Sequence, residues 1–160
     1  MTKQYKIIVA YDGTDYSGWI QQPHKLSIVQ GLHDSFTRIF GKDIKLLGAS
    51  KTDAGVHALG QVAIFETDLS LSSAKLKWVW NNGLPSAISI RSLETDENFN
   101  PHVHVLDKTY HYHLFPERPH PFYARYGTQT MGKVDWDLFQ KALELFGGAH
   151  DFNAFYTGDD

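Results

Sequence analysis

Seven consecutive residues, Lys51 to His57 (KTDAGVH), bring together a lysine, a threonine, an aspartate, a glycine and a histidine. An aspartate close to a lysine is a common site element, because the cation keeps the carboxylate ionised at neutral pH and ready as nucleophile or base. Gly55 would let the backbone take a positive φ or pass close to a ligand. The same residues also suit an ordinary turn, capped by Thr52 or Asp53 and completed by Gly55. Residue types and spacing leave both readings open.

The elements around this segment can be read from hydrophobic period. Tyr5, Ile7, Val9 and Tyr11 alternate, which predicts a strand over Gln4 to Tyr11 that ends at the turn-rich DGTDYSGW stretch. Ser27 stands three residues before Gln30, the spacing of a capping box, and Ile28, Val29, Leu32, Phe36, Ile39 and Phe40 share a helical face up to Gly41. A helix is therefore expected from about Ser27 to Phe40. Strands are expected over Asp43 to Ser50, Gln61 to Glu66 and Ala87 to Leu93, with a helix over Ser72 to Asn82 closed by Gly83 and Pro85. The order β-α-β-β-α-β is the split βαβ arrangement of ferredoxin-like domains. Further on, Lys108 to Phe115 reads as a strand, and Asp135 to Phe146 as a helix with Trp136, Phe139, Leu143 and Phe146 inward. The expected class is α+β, with a ferredoxin-like domain over 1–100 and an incomplete second α/β unit over 101–160.

Composition bounds the function. In 160 residues, 42% are hydrophobic and 21% charged, as in folded globular chains. There is no cysteine, so disulfides and thiolate metal sites are excluded. The N-terminus has no apolar run long enough for a signal peptide or membrane span, and a cytoplasmic, non-membrane protein is expected. A net charge of −3 hides two basic segments. Arg38, Lys42, Lys45 and Lys51 face Asp43 alone, and Lys108, Arg118, Arg125 and Lys133 face Glu117 alone. Within a Debye length local sign outweighs the total, so a polyanionic partner is compatible with the sequence.

The KTDAGVHALGQV segment closely resembles the RTDAGVHA-G-QV signature of the TruA family of tRNA pseudouridine synthases. YDGTDYSGW from Tyr11, with Gln22 after it, resembles that family's YDGT-Y-GW--Q, and SIVQGLHDSF from Ser27 its T-VQG-LE-AL helix. NNGLPSAISI from Asn81 is similar to LN--LP-DI-V, KTYHYHL from Lys108 to K-Y-Y-I, and GGAHDFNAF from Gly147 to G-HDF--F. Six motifs in order cover nearly the whole chain.

The resemblance implies that Asp53 is the catalytic carboxylate and that Tyr110 stacks on the target base, with Lys51 and Thr52 beside Asp53 as substrate-binding residues. It implies a homodimer acting on uridine in the anticodon arm of tRNA, with two α/β units flanking the active-site cleft. No cofactor or metal is implied, because the isomerisation neither gains nor loses electrons or groups. Three positions depart from the family pattern: Lys51 and His102 stand where arginine is usual, and Ile20 where glutamine is usual. Lysine offers a point charge in place of arginine's planar fork, which alters geometry more than charge. The family's second half also carries a basic partner for the catalytic aspartate and an apolar strand motif. Neither occurs up to Asp160, so the chain by itself is expected to be poorly active or inactive.

Two other readings accompany this one. The first is a non-catalytic tRNA-binding fragment or scaffold. The second is a metal-binding module, since His102/His104 and His111/His113 would each project to one face of an antiparallel hairpin. The plainer fate of these imidazoles is a half-exposed histidine-rich face. His57 is read as support for its loop, and Trp19, Trp78, Trp80 and Trp136 as core or interface anchors.

Overall fold

Alternation over the first strand produces β1 (Lys3–Tyr11), whose Tyr5, Ile7, Val9 and Tyr11 are buried while the residues between them are not. The computed structural model describes residues 1–156 and divides the chain into two compact units, Met1–Tyr110 and the chain from His111 onward. The first unit continues with α1 (Ile28–Phe40), β2 (Leu47–Gly48), β3 (Ala58–Thr67), α2 (Ser73–Gly83) and β4 (Ile88–Thr95). Its four-stranded sheet has the order β2-β3-β1-β4, and every neighbouring pair is antiparallel.

Capping sets the helix limits. Ser27 accepts from the Gln30 backbone N–H at the start of α1, and Ser72 accepts from that of Lys75 at the start of α2. Such caps contribute about 1 kcal/mol each. The Gln30 side chain turns away to Asp34, so only half of the anticipated capping box forms. Ile28, Leu32 and Phe36 of α1 are fully buried, each stabilising the fold by roughly 1.5–3 kcal/mol. Phe36, Phe65 of β3 and Trp80 of α2 meet edge to face at 4.8–5.6 Å and join the two helices to the sheet. Trp80 Nε1 donates to Ser35 Oγ at 2.9 Å, so its one polar atom is satisfied in the core. Asn81 exchanges hydrogen bonds with the Ile90 backbone (2.8 and 2.9 Å), covering part of the outer edge of β4.

Several elements differ from the sequence reading. The strand expected over Asp43 to Ser50 is reduced to Leu47–Gly48, because Ile44 turns into the core and Lys42 reaches Asp68 at 2.6 Å. The strand expected over Lys108 to Phe115 is reduced to β5 (Leu114–Phe115), which pairs in parallel with β6 (Thr128–Gln129). Residues 108–113 alternate, but no strand among the described residues pairs with them, and a strand without a neighbour has no ladder to form. α3 (Trp136–Glu144) forms within the expected helix and starts from an Asp135 cap, yet Trp136, Phe139, Leu143 and Phe146 are exposed and not inward. No residue of 111–156 is buried. Of the four tryptophans, Trp19 and Trp80 are core residues; Trp78 is 61% exposed under Lys75, and Trp136 is 42% exposed.

Candidate active site

Residues 50–57 form the connection into β3, and nearly every turn of it is tied to the segment that follows β1. At its start, Gln61 of β3 donates to the Ser50 carbonyl at 2.6 Å. Next, Tyr11 OH and Thr52 Oγ1 lie 2.9 Å apart, and the Trp19 N–H donates to the Thr52 carbonyl at 3.0 Å. The Val56 N–H closes a turn on the Asp53 carbonyl at 3.2 Å, and the Gly55 N–H donates to the Tyr16 carbonyl at 3.1 Å. At its end, His57 Nδ1 lies 3.2 Å from the Gly13 amide and 3.1 Å from Asp12 Oδ1. That nitrogen accepts from Gly13 when bare and donates to Asp12 when protonated, so either form ties the ring to the end of β1. His57 thus supports its loop.

Close approach explains the glycines. Gly18 has φ +92°, and a Cβ there would collide with the Thr52 carbonyl. Gly55 takes φ +78°, the left-handed conformation its place in the turn suggested. Register also contributes: the β1–β3 pairing shifts between Val9 and Tyr11, and such an irregularity re-aims the strand end. Tyr11 there stacks on Trp19 with centroids 6.1 Å apart. Burial raises the Tyr11 phenol above its ordinary value of 10.0, while the Thr52 hydrogen bond acts in the opposite direction. The Tyr16 phenol is likewise raised, first by burial and then by Asp15 and Asp12.

This arrangement fixes the backbone of Asp53 from both sides and leaves its side chain exposed. A rigidly mounted, accessible carboxylate is a geometry suited to nucleophilic or base chemistry. Lys51 is exposed beside it, and the Thr52 hydroxyl is half-buried against Tyr11. Neither Thr52 nor Asp53 caps the turn with its side chain; the Asp53 carbonyl closes it. Tyr110 lies at the last position of the first unit, outside any strand and 68% exposed. Tyr11, Asp12 and Gly18 were not singled out from the sequence as partners of the loop. Their signal was their place in the YDGTDYSGW motif, but local spacing cannot say which distant segment a motif meets.

Beside the loop lies an open groove of about 570 Å³ between α1 and β2. Ile20, Lys51 and His102, the three positions that depart from the family pattern, all line it. The hairpin that would have aligned the histidine pairs is absent: residues 105–113 have no regular structure, and His111 opens the second unit. Among the described residues no three His, Asp or Glu side chains are grouped so as to hold a metal ion. No helix among them is long and apolar enough to cross a membrane.

Comparison with known proteins agrees with the fold and the motifs. Residues 7–104 match the family model described as tRNA pseudouridine synthase. The chain is 42% identical over 157 residues to tRNA pseudouridine synthase A of Thermodesulfovibrio yellowstonii, covering 97% of this chain and 62% of that protein. It is 36% identical to the protein of that name from Brevibacillus brevis, covering 96% and 64%, and 38% identical to tRNA pseudouridine synthase A 1 of Protochlamydia amoebophila, covering 94% and 60%. The α+β unit with its four-stranded antiparallel sheet is consistent with the matched domain, and the chain belongs to the tRNA pseudouridine synthase family. It spans 60–64% of the length of these relatives.

Proposed function

We propose that this chain carries the catalytic-aspartate part of a tRNA pseudouridine synthase, which isomerises uridine to pseudouridine in the anticodon arm of tRNA. The observation that carries the reading is the Asp53 loop, whose backbone is pinned by Tyr11, Trp19 and Tyr16 while the carboxylate faces solvent. In the isomerisation the N1–C1′ glycosidic bond breaks, the base turns while still held, and C5 bonds to C1′ as its hydrogen leaves for solvent. Asp53 serves this chemistry by attacking as a nucleophile or by abstracting a proton. Lys51 and Thr52 contact the substrate next to it. Tyr110 supplies the face on which an unstacked base rests, because a base must leave its helical stack to be reached. No electrons or groups are exchanged, so the reaction calls for no cofactor. The sheet order and helix placement support a ferredoxin-like domain over 1–100, with 101–160 as the start of a second α/β domain. The working assembly is a cytoplasmic homodimer bound to tRNA.

Release of tritium from tRNA labelled at uridine C5 tests the activity directly. Release from this chain alone is expected to be weak, and Asp53→Ala is expected to reduce whatever release it shows to background. Binding of tRNA with no release above background would leave a non-catalytic tRNA-binding protein and remove the enzymatic reading for this chain.

A further inference from the structure

We propose that the groove between α1 and β2 seats a nucleotide of the RNA strand next to the target uridine, its base on an aliphatic floor and its phosphate on the amino groups at the rim. The inference rests on the proposed function and assigns a second contact to the same substrate. The groove, of about 570 Å³, is within the size range that seats small ligands. Val29, Leu46 and Leu47 contribute apolar surface to its lining, and Ile20 adds a side chain that is 49% exposed. Trp19 also lines it but is buried, so the surface offered to a base is aliphatic more than aromatic.

Charge selects the occupant. Lys45, Lys51, His33 and His102 line the groove, and no carboxylate does. Asp34 and Asp43 lie 3.1 and 3.6 Å from the two nitrogens of His33, so the groove's positive charge rests on Lys45 and Lys51. The other cations of this basic segment are engaged elsewhere: Lys42 pairs with Asp68, and Arg38 donates to the Gly83 carbonyl. Lys45 and Lys51 are exposed. In a chain of net charge −3, a groove with the amino groups of Lys45 and Lys51 over an aliphatic floor, and no carboxylate in its lining, complements one phosphate and one base. Position selects which nucleotide. Lys51 is two residues from Asp53, a reach of at most about 7 Å. A strand with its target at Asp53 therefore brings a neighbouring nucleotide to the groove.

The test uses an anticodon-arm RNA with 4-thiouridine placed next to the target, cross-linked to the full chain and mapped by mass spectrometry, together with salt-dependent affinities. Cross-links are expected in the peptides containing Ile20 or Leu46–Leu47. Lys45→Ala is expected to reduce the slope of log K against log salt by about one, and Lys45→Glu to weaken binding by about tenfold. Leu47→Ser, at a 41% exposed edge position, is expected to weaken binding while leaving the salt slope unchanged. Cross-links confined to other segments, or wild-type affinity in both Lys45→Glu and Leu47→Ser, would overturn the groove assignment. Binding and tritium release in those variants would meanwhile leave the proposed function standing. Failure of the unmodified chain to bind the RNA at all would remove both.

Discussion

Tyr11 and Thr52 share a hydrogen bond that helps attach the Asp53 loop to the sheet, and the pair makes a residue-scale prediction. Burial raises the Tyr11 pKa above 10.0 in the fold, so the unfolded chain gives up this proton at a lower pH than the native one. The associated stability is complete below the ordinary tyrosine value and is lost as pH rises through the folded one. Urea unfolding of the native protein should therefore show stability falling above about pH 10, with Tyr11→Phe giving a flatter profile. At neutral pH Tyr11→Phe should cost about 1 kcal/mol, the net worth of a neutral hydrogen bond. The candidate residues were legible at this scale only as types. Asp53 stood out because a carboxylate, a lysine and a glycine share one short segment, whereas its anchor Tyr11 reads in sequence as one more alternating strand residue. The two lie far apart along the chain, beyond what spacing can relate.

At the scale of elements, the loop keeps its shape because two segments lie in backbone contact, and the glycines there should respond unequally to substitution. Both Gly18 and Gly55 have positive φ, but a Cβ at Gly18 meets the Thr52 carbonyl while one at Gly55 meets nothing within 4 Å. Gly55→Ala should cost only the left-handed penalty of about 1–2 kcal/mol. Gly18→Ala should cost more, since the loop must also move off its support; the difference in urea midpoints measures it. β1, α1, α2, β3 and β4 follow from period and caps, and Ser27 and Ser72 do cap their helices. Leu47–Gly48 fell short of the expected strand because an edge segment pairs on one side only, and here core burial of Ile44 outweighs further pairing. The strand around Tyr110 failed for a related reason: alternation specifies which faces a strand would have, not whether a neighbour exists.

Across the whole molecule the two units differ in what holds them. The first has a core in which Tyr5, Phe36, Phe65 and Trp80 are essentially inaccessible; the second has no buried residue among those described. Segments with few buried contacts open most readily, so limited proteolysis should cut first beyond Tyr110 and leave a resistant product of about the first 110 residues. Equal cleavage rates before and after Tyr110 would contradict this account. The amphipathic pattern of α3 was plain in the sequence, but a pattern marks a face that could be buried without supplying its cover. By itself, the sequence determined the elements of the first unit, their order and the segment bearing Asp53, because period, caps and motif spacing act within a few residues of each other. Only the tertiary structure decided that this loop rests on Tyr11, Tyr16 and Trp19, and that Ile20, Lys45, Lys51 and His102 line one groove. Those relations depend on the β2-β3-β1-β4 order, which brings remote segments to one side of the sheet through contacts that no local spacing encodes.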